Sequence, residues 1–257
     1  MTGRTGQDRQ PPLSMTRQTR RVLAWIGPDD PLPDPSRAWS DPNGLLAAGA
    51  DLSAQRLLEA YPKGIFPWYT EGQPVLWWSP DPRMVLHLDE FRISRSLAAT
   101  LRRARRDARL RVTLDSCFER VMRECSMPRA SQDGTWITRE MLSAYGELHR
   151  IGAAHSVEVW EGERLAGGLY GVALGRMFYG ESMFTRARDA SKAALCALVQ
   201  LLRRQGFRVI DCQQNTRHLA SFGAREIARA SFLEQVAELV RQPGPDWRTV
   251  GIELPDA

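Results

Sequence analysis

The sequence predicts an α+β fold in two unequal parts: a small N-terminal α/β lobe and a larger C-terminal domain built on a mixed sheet. Three observations lead there. The strand-like segments Ala154–Trp160, Arg164–Leu174 and Met177–Phe184 follow one another across the short turns "EGE" and "GR", as in an antiparallel meander. A helical segment, an apolar strand and a last helix then follow in that order. Ahead of them, residues 22–88 read as a separate, loop-rich lobe punctuated by prolines. The expected divisions are a disordered basic extension over 1–21, the N-terminal lobe over 22–88 and the C-terminal domain over 89–250.

Each element has its own justification. The first 21 residues are polar and basic, with no apolar segment of the signal-peptide kind, and Met15 offers a second start. Residues 22–50 read as loop. Ser53 is an expected N-cap for "AQRLLEAY", with Leu57, Leu58 and Tyr61 on its apolar face and Pro62 and Gly64 ending it. The stretch "GIFPWYTEGQPVLWWSPDPR", Gly64–Arg83, carries Trp68, Trp77 and Trp78 among four prolines, which argue against a helix or a central strand. Trp77 and Trp78 read as packing between the two halves. "RMVLHL", Arg83–Leu88, reads as a strand. Helical propensity runs from Ser94 through Arg111, where arginines far outnumber acids. Such a run is either a solvated helix face or a surface for phosphates.

Asp115 is the expected N-cap of the next helix, whose apolar face is Phe118, Val121, Met122 and Cys125. A further helix places Met141, Tyr145 and Leu148 on one side and stops at Gly152. After the meander, Asp189 is the expected cap of "ASKAALCALVQLLRRQG". "FRVIDCQ", Phe207–Gln213, is an apolar strand that turns abruptly polar, and "SFLEQVAELVRQ" closes the chain as a helix.

Composition narrows the function. A net charge of +5 permits an anionic partner. The four cysteines form no CxxC pair, and the four histidines no HExxH spacing, so neither a metal nor a cofactor is expected. No apolar run approaches the roughly 20 residues that span a bilayer, which points to a cytoplasmic protein.

Three strands, helix, strand, helix is the order used by acyltransferases of the GNAT type, so a GNAT-like C-terminal domain is expected. Acetyl-CoA users of that fold carry a glycine-rich loop whose amides hold a pyrophosphate at a helix N-terminus. Here that place reads "MFTRARDASKAA", without the glycines. A different activated acyl donor is needed.

"GLLAAGADLS", "RLLEAY", "GIFPWY", "LWWSPDPR", "GTWIT", "AHSVEVW", "GGLYG", "GESMF", "ASKAAL" and "IDCQ" occur in this order between Gly44 and Phe232. Together they resemble the leucyl/phenylalanyl-tRNA–protein transferase family. The resemblance implies transfer of Leu or Phe, with Met as a further candidate, from aminoacyl-tRNA to proteins bearing N-terminal Arg or Lys. Those proteins are thereby marked for N-degron proteolysis. The chain departs from the family at Ala50, where a second glycine is usual. It departs again at Leu169 and Leu198, where Met and Phe are frequent; this leaves the Leu-versus-Phe preference open.

The candidate site follows from the residues and the resemblance together. Asp211 and Gln213 stand at i and i+2 of a strand, so both are expected on one face, where they would assist proton removal from an attacking amine. Glu181 is an acid on an apolar strand, and the resemblance puts it near the substrate's amino group. Leu169, Phe178, Leu198 and Ile210 are expected to form the aminoacyl pocket. Read without the resemblance, these four are plain core. By the resemblance, Trp68 and Trp136 stack on the terminal adenosine, and Arg95 is a candidate for acceptor-stem phosphates. A monomer is expected. The competing readings are a GNAT acetyltransferase using acetyl-CoA and a non-catalytic RNA-binding protein.

Overall fold

The computed structural model describes residues 22–127 and 137–255; the extension 1–21 and Trp136 lie outside the described residues. The N-terminal part is a four-stranded sheet. Its strands are β1 (Ala24–Ile26), β2 (Leu45–Gly49), β3 (Phe66–Pro67) and β4 (Leu76–Trp78), in the order β1-β2-β4-β3. Helix α1 (Ala54–Ala60) crosses between β2 and β3, capped by Ser53 Oγ, which accepts from Arg56 N. A 3-10 turn follows and stops at Gly64, whose φ of 68° a residue with a side chain rarely adopts.

The sequence reading of residues 22–50 and 64–83 as loop is corrected here. β4 is a central strand, kept to three residues between Pro74 and Pro80, so no proline interrupts its ladder. Pro67 sits in the edge strand β3, where a missing N–H removes least.

The larger sheet has seven strands: β5 (Arg83–His87), β6 (Leu110–Leu114), β7 (Ala154–Glu161), β8 (Arg164–Leu174), β9 (Met177–Thr185), β10 (Val209–Gln213) and β11 (Arg225–Ile227). Their order is β11-β5-β10-β9-β8-β7-β6, and every pairing is antiparallel except β9 with β10. The meander β7–β8–β9 stands as the sequence predicts. β5 belongs to this sheet, so the two sheets part between Trp78 and Arg83.

Helices cover both faces. On one side α2 (Arg95–Arg106) and α5 (Ala190–Arg204) pack Leu97, Leu101, Leu195, Leu198 and Leu202 against the sheet. On the other lie α3 (Phe118–Ser126), α4 (Arg139–Arg150), α7 (Arg229–Leu239) and the small sheet. That second core is continuous: Trp77, Tyr61 and Phe66 of the N-terminal part share it with Tyr145, Tyr179 and Phe232. A short helix α6 (Arg217–Ala220) follows β10. No helix among the described residues is long and apolar enough to cross a membrane.

Three local readings change. The arginine-rich helix ends at Arg106, and "LRVTL" forms β6 against β7 because its β-branched, alternating residues suit a sheet edge. Asp115 does not cap α3. Its backbone turns to φ 56°, and its carboxylate accepts from Ser156 N at 2.8 Å and meets His155 Nδ1 at 2.7 Å, leaving Cys117 at the N-cap position. Asp189 occupies the N-cap position of α5 in the left-handed region, but its carboxylate binds Lys192 Nζ at 2.7 Å instead of the helix amides.

Candidate active site

The parallel pair β9–β10 is short. Ile210 lies beside Phe178 and Asp211 beside Tyr179, and the pairing then stops. β9 continues along β8, while β10 bulges between Asp211 and Gln213 against β5. Gly180 contributes no side chain to the gap. A cavity of about 470 Å³ opens where the strands part.

Leu169, Phe178, Leu198 and Ile210, the four residues expected to form an aminoacyl pocket, all line this cavity and are themselves buried. Leu86, Leu195 and Met183 line it too, and the sequence reading does not assign them. Trp68 reaches the cavity from the small sheet with 40% of its surface open, braced edge-on against Trp78 at 5.5 Å between ring centroids. Trp78 in turn donates Nε1–H to the Trp68 carbonyl at 2.7 Å.

One wall of the cavity is polar. Glu181 Oε1 accepts from Tyr61 Oη at 2.7 Å and from Gln213 Nε2 at 2.9 Å, and its Oε2 accepts from Tyr145 Oη at 3.1 Å. The two tyrosine hydroxyls lie 2.5 Å apart. Although Glu181 keeps an edge open to the cavity, burial raises its carboxyl from the ordinary 4.5 to about 7, partly offset by the tyrosine hydrogen bonds. Burial, and then the Glu181 charge, pushes both tyrosines well above the usual phenol value, so they remain O–H donors. With its Nε2 group turned to Glu181, Gln213 has its carbonyl oxygen as the acceptor for a ligand.

Asp211 behaves differently from its sequence reading. The bulge and the φ of 61° at Gln213 break the strand alternation, so the two side chains do not simply project from one face. They are linked through the backbone: Asp211 Oδ1 accepts from Gln213 N at 2.9 Å. Both Asp211 oxygens also meet Arg83, Oδ1 with Nε at 2.8 Å and Oδ2 with Nη2 at 2.7 Å. This ion pair is fully buried.

Arg95 is the first residue of α2; it is exposed and outside the cavity. Further along α2, Arg102, Arg103 and Arg106 border a surface depression together with Arg109, just beyond the helix, and Arg188. Several already have partners, Arg106 on Asp107 and Arg109 on Glu161.

Sequence reasoning misses Arg83, Tyr61 and Tyr145 as site residues. Arg83 opens an apolar strand, which is an unusual place for a charge and the one available signal. The tyrosines appear only as members of apolar helix faces, and nothing local marks where their hydroxyls point.

An apolar cavity with one wall of fixed donors and acceptors suits a ligand that is part apolar and part polar. Comparison with known proteins gives the family. Residues 85–237 match the model of the leucyl/phenylalanyl-tRNA protein transferase family, and residues 50–81 match that family's N-terminal domain. The leucyl/phenylalanyl-tRNA–protein transferase of Chromobacterium violaceum is 58% identical over 88% of this chain and 95% of its own length. That of Bordetella petrii is 55% identical over 88% of this chain and 92% of its own. Among solved structures, the L-PGS from Bacillus licheniformis aligns with a TM-score of 0.37 at 14% identity, over 67% of this chain and 57% of that one, too distant to argue from. The molecule is therefore an aminoacyltransferase. More particularly, it belongs to the leucyl/phenylalanyl-tRNA–protein transferase family.

Proposed function

We propose that the cavity between β9 and β10 takes the Leu or Phe side chain of an aminoacyl-tRNA, and that the enzyme passes this residue to proteins with N-terminal Arg or Lys, marking them for N-degron proteolysis. The observation that carries the reading is the cavity itself: an apolar floor of Leu169, Phe178, Leu198 and Ile210 beside a polar wall of Glu181, Gln213, Tyr61 and Tyr145. The C-terminal domain is of the GNAT type, and the protein acts as a cytoplasmic monomer.

The chemistry is aminolysis of an ester. The α-amine attacks the aminoacyl carbonyl carbon, a C–N bond forms, and the C–O bond to the terminal ribose breaks. The amine gives up a proton and the departing ribose oxygen gains one. The ester is already activated, so positioning supplies much of the rate, roughly 7–11 kcal/mol in favourable intramolecular systems. Gln213 offers a carbonyl oxygen to orient the incoming amine, and Glu181 offers negative charge to an ammonium or a basic N-terminal side chain. Asp211 acts through Gln213, since its own oxygens are engaged. Trp68 stacks on the terminal adenosine, and Arg95 with its neighbours meets acceptor-stem phosphates.

The test is transfer of labelled Leu from charged tRNA to peptides beginning with Arg, Lys or Ala. Label on the Arg and Lys peptides and not on the Ala peptide is the expected result. Absence of transfer sinks the reading, and acetylation of a peptide from acetyl-CoA would replace it.

A further inference from the structure

We propose that Arg83 is a positioning residue for aminoacyl transfer, acting through Asp211 on the turn that aims Gln213. The inference rests on the proposed reading of the cavity.

Arg83 is a cation with no exposed surface in the middle of the molecule. Its guanidinium lies between the rings of Phe66 and Phe232, 4.7 and 4.6 Å from their centroids. Nη1 donates to the Gly64 carbonyl at 3.1 Å, while Nε and Nη2 clamp the Asp211 carboxylate. Three parts of the chain are thus tied to one planar group: the N-terminal part through Gly64 and Phe66, α7 through Phe232, and β10 through Asp211. Apolar side chains of similar size could fill this space without the desolvation of two charges, so stability alone does not explain the pair. What the pair supplies is direction. A guanidinium fork fixes a carboxylate in plane and rotation, as a lysine cannot.

That orientation is transmitted. Gln213 sits at φ 61°, a left-handed conformation that a residue with a side chain keeps only when its surroundings enforce it. The bond from Gln213 N to Asp211 Oδ1 closes this turn. The turn sends the Gln213 side chain back to Glu181 across the cavity. Remove Arg83 and Asp211 can rotate, the turn loses its acceptor, and the Gln213 carbonyl oxygen no longer holds one place. Arg83 touches no substrate in this scheme. The requirement is for a fixed acceptor at Asp211 Oδ1, not for a charge on it.

The experiment compares Arg83→Ala, Asp211→Ala and the double variant Arg83→Gln/Asp211→Asn, in the labelled Leu-tRNA and Arg-peptide assay. The double variant carries no buried charge, and its Asn keeps an oxygen for the Gln213 amide. A displaced reacting group typically slows transfer about 100-fold, so each alanine variant should lose about that much kcat, with KM for Leu-tRNA unchanged. The double variant should recover to within about tenfold of the wild type. Unchanged kcat in Arg83→Ala overturns the proposal, as does a change confined to KM. A double variant with a wild-type melting temperature but the activity of Asp211→Ala also overturns it, because the Asp211 charge would then take part directly. Should the alanine variants fail to fold, the folded double variant decides alone: transfer within about tenfold of the wild type supports the proposal, and a loss of about 100-fold or more overturns it. A wild-type protein without transfer activity would instead remove the functional reading on which the inference stands.

Discussion

Glu181 ties the site to pH in a way that can be measured without substrate. Its carboxyl titrates near 7 in the folded protein, against 4.5 as its ordinary value. The folded state therefore holds a proton that the unfolded chain has released throughout this window. The protein should lose stability as pH rises from 4.5 to 7 and level off above 7. At about 1.4 kcal/mol per pH unit, this span corresponds to about 3 kcal/mol of stability present at low pH and absent at pH 8. Glu181→Gln removes the titration with little change of shape. A Gln oxygen in place of Oε1 can still accept from Tyr61 and Gln213, and the new NH₂ group can donate to the Tyr145 oxygen if Tyr145 turns its own proton to Tyr61. Urea denaturation of both proteins between pH 4.5 and 8 gives the test. Their difference isolates Glu181 from other raised acids such as Glu158. The variant should gain on the wild type by about 3 kcal/mol across the window. Parallel stability curves would refute the assignment of a perturbed, desolvated Glu181.

Four further outcomes are expected. Leu198→Phe should reduce the capacity of the cavity and lower transfer of Phe relative to Leu at least tenfold, since one methylene in an apolar site is worth about 1–3 kcal/mol; competition between the two charged tRNAs reads this out. Trp68→Ala should weaken binding of Leu-tRNA by about 1–3 kcal/mol in a filter-binding assay. Arg95→Ala should weaken tRNA binding with a salt slope smaller by about one, and an unchanged slope would return Arg95 to an ordinary solvated surface. Ala50→Gly should raise stability by about 0.5–1 kcal/mol in chemical denaturation, because Ala50 holds φ 60°, where alanine is strained.

The meander and the helix after it are legible in the sequence because they rest on local signals: alternation, turn residues and long apolar faces. The four apolar residues that line the cavity are legible locally only as core. Leu169 and Ile210 read as core and are core; the separation of β9 from β10 turns one side of that core into a cavity. The small sheet is illegible for the opposite reason. Its strands are two to five residues long, so no periodicity develops. The Asp211–Gln213 geometry escapes because a bulge overrides the strand period. Arg83, Tyr61 and Tyr145 escape because their roles depend on partners 128, 120 and 36 residues away along the chain.

The cavity draws Trp68 from the N-terminal part, and Tyr61 joins Glu181 from the same side, while the floor and the remaining acceptors come from the seven-stranded sheet and α5. One apolar cluster runs through both, and Arg83 is tied to Gly64 and to Asp211 at once. The two sheets are consequently packed as one unit. A fragment carrying the larger one alone would expose a bare apolar face and lose Tyr61 from the polar wall.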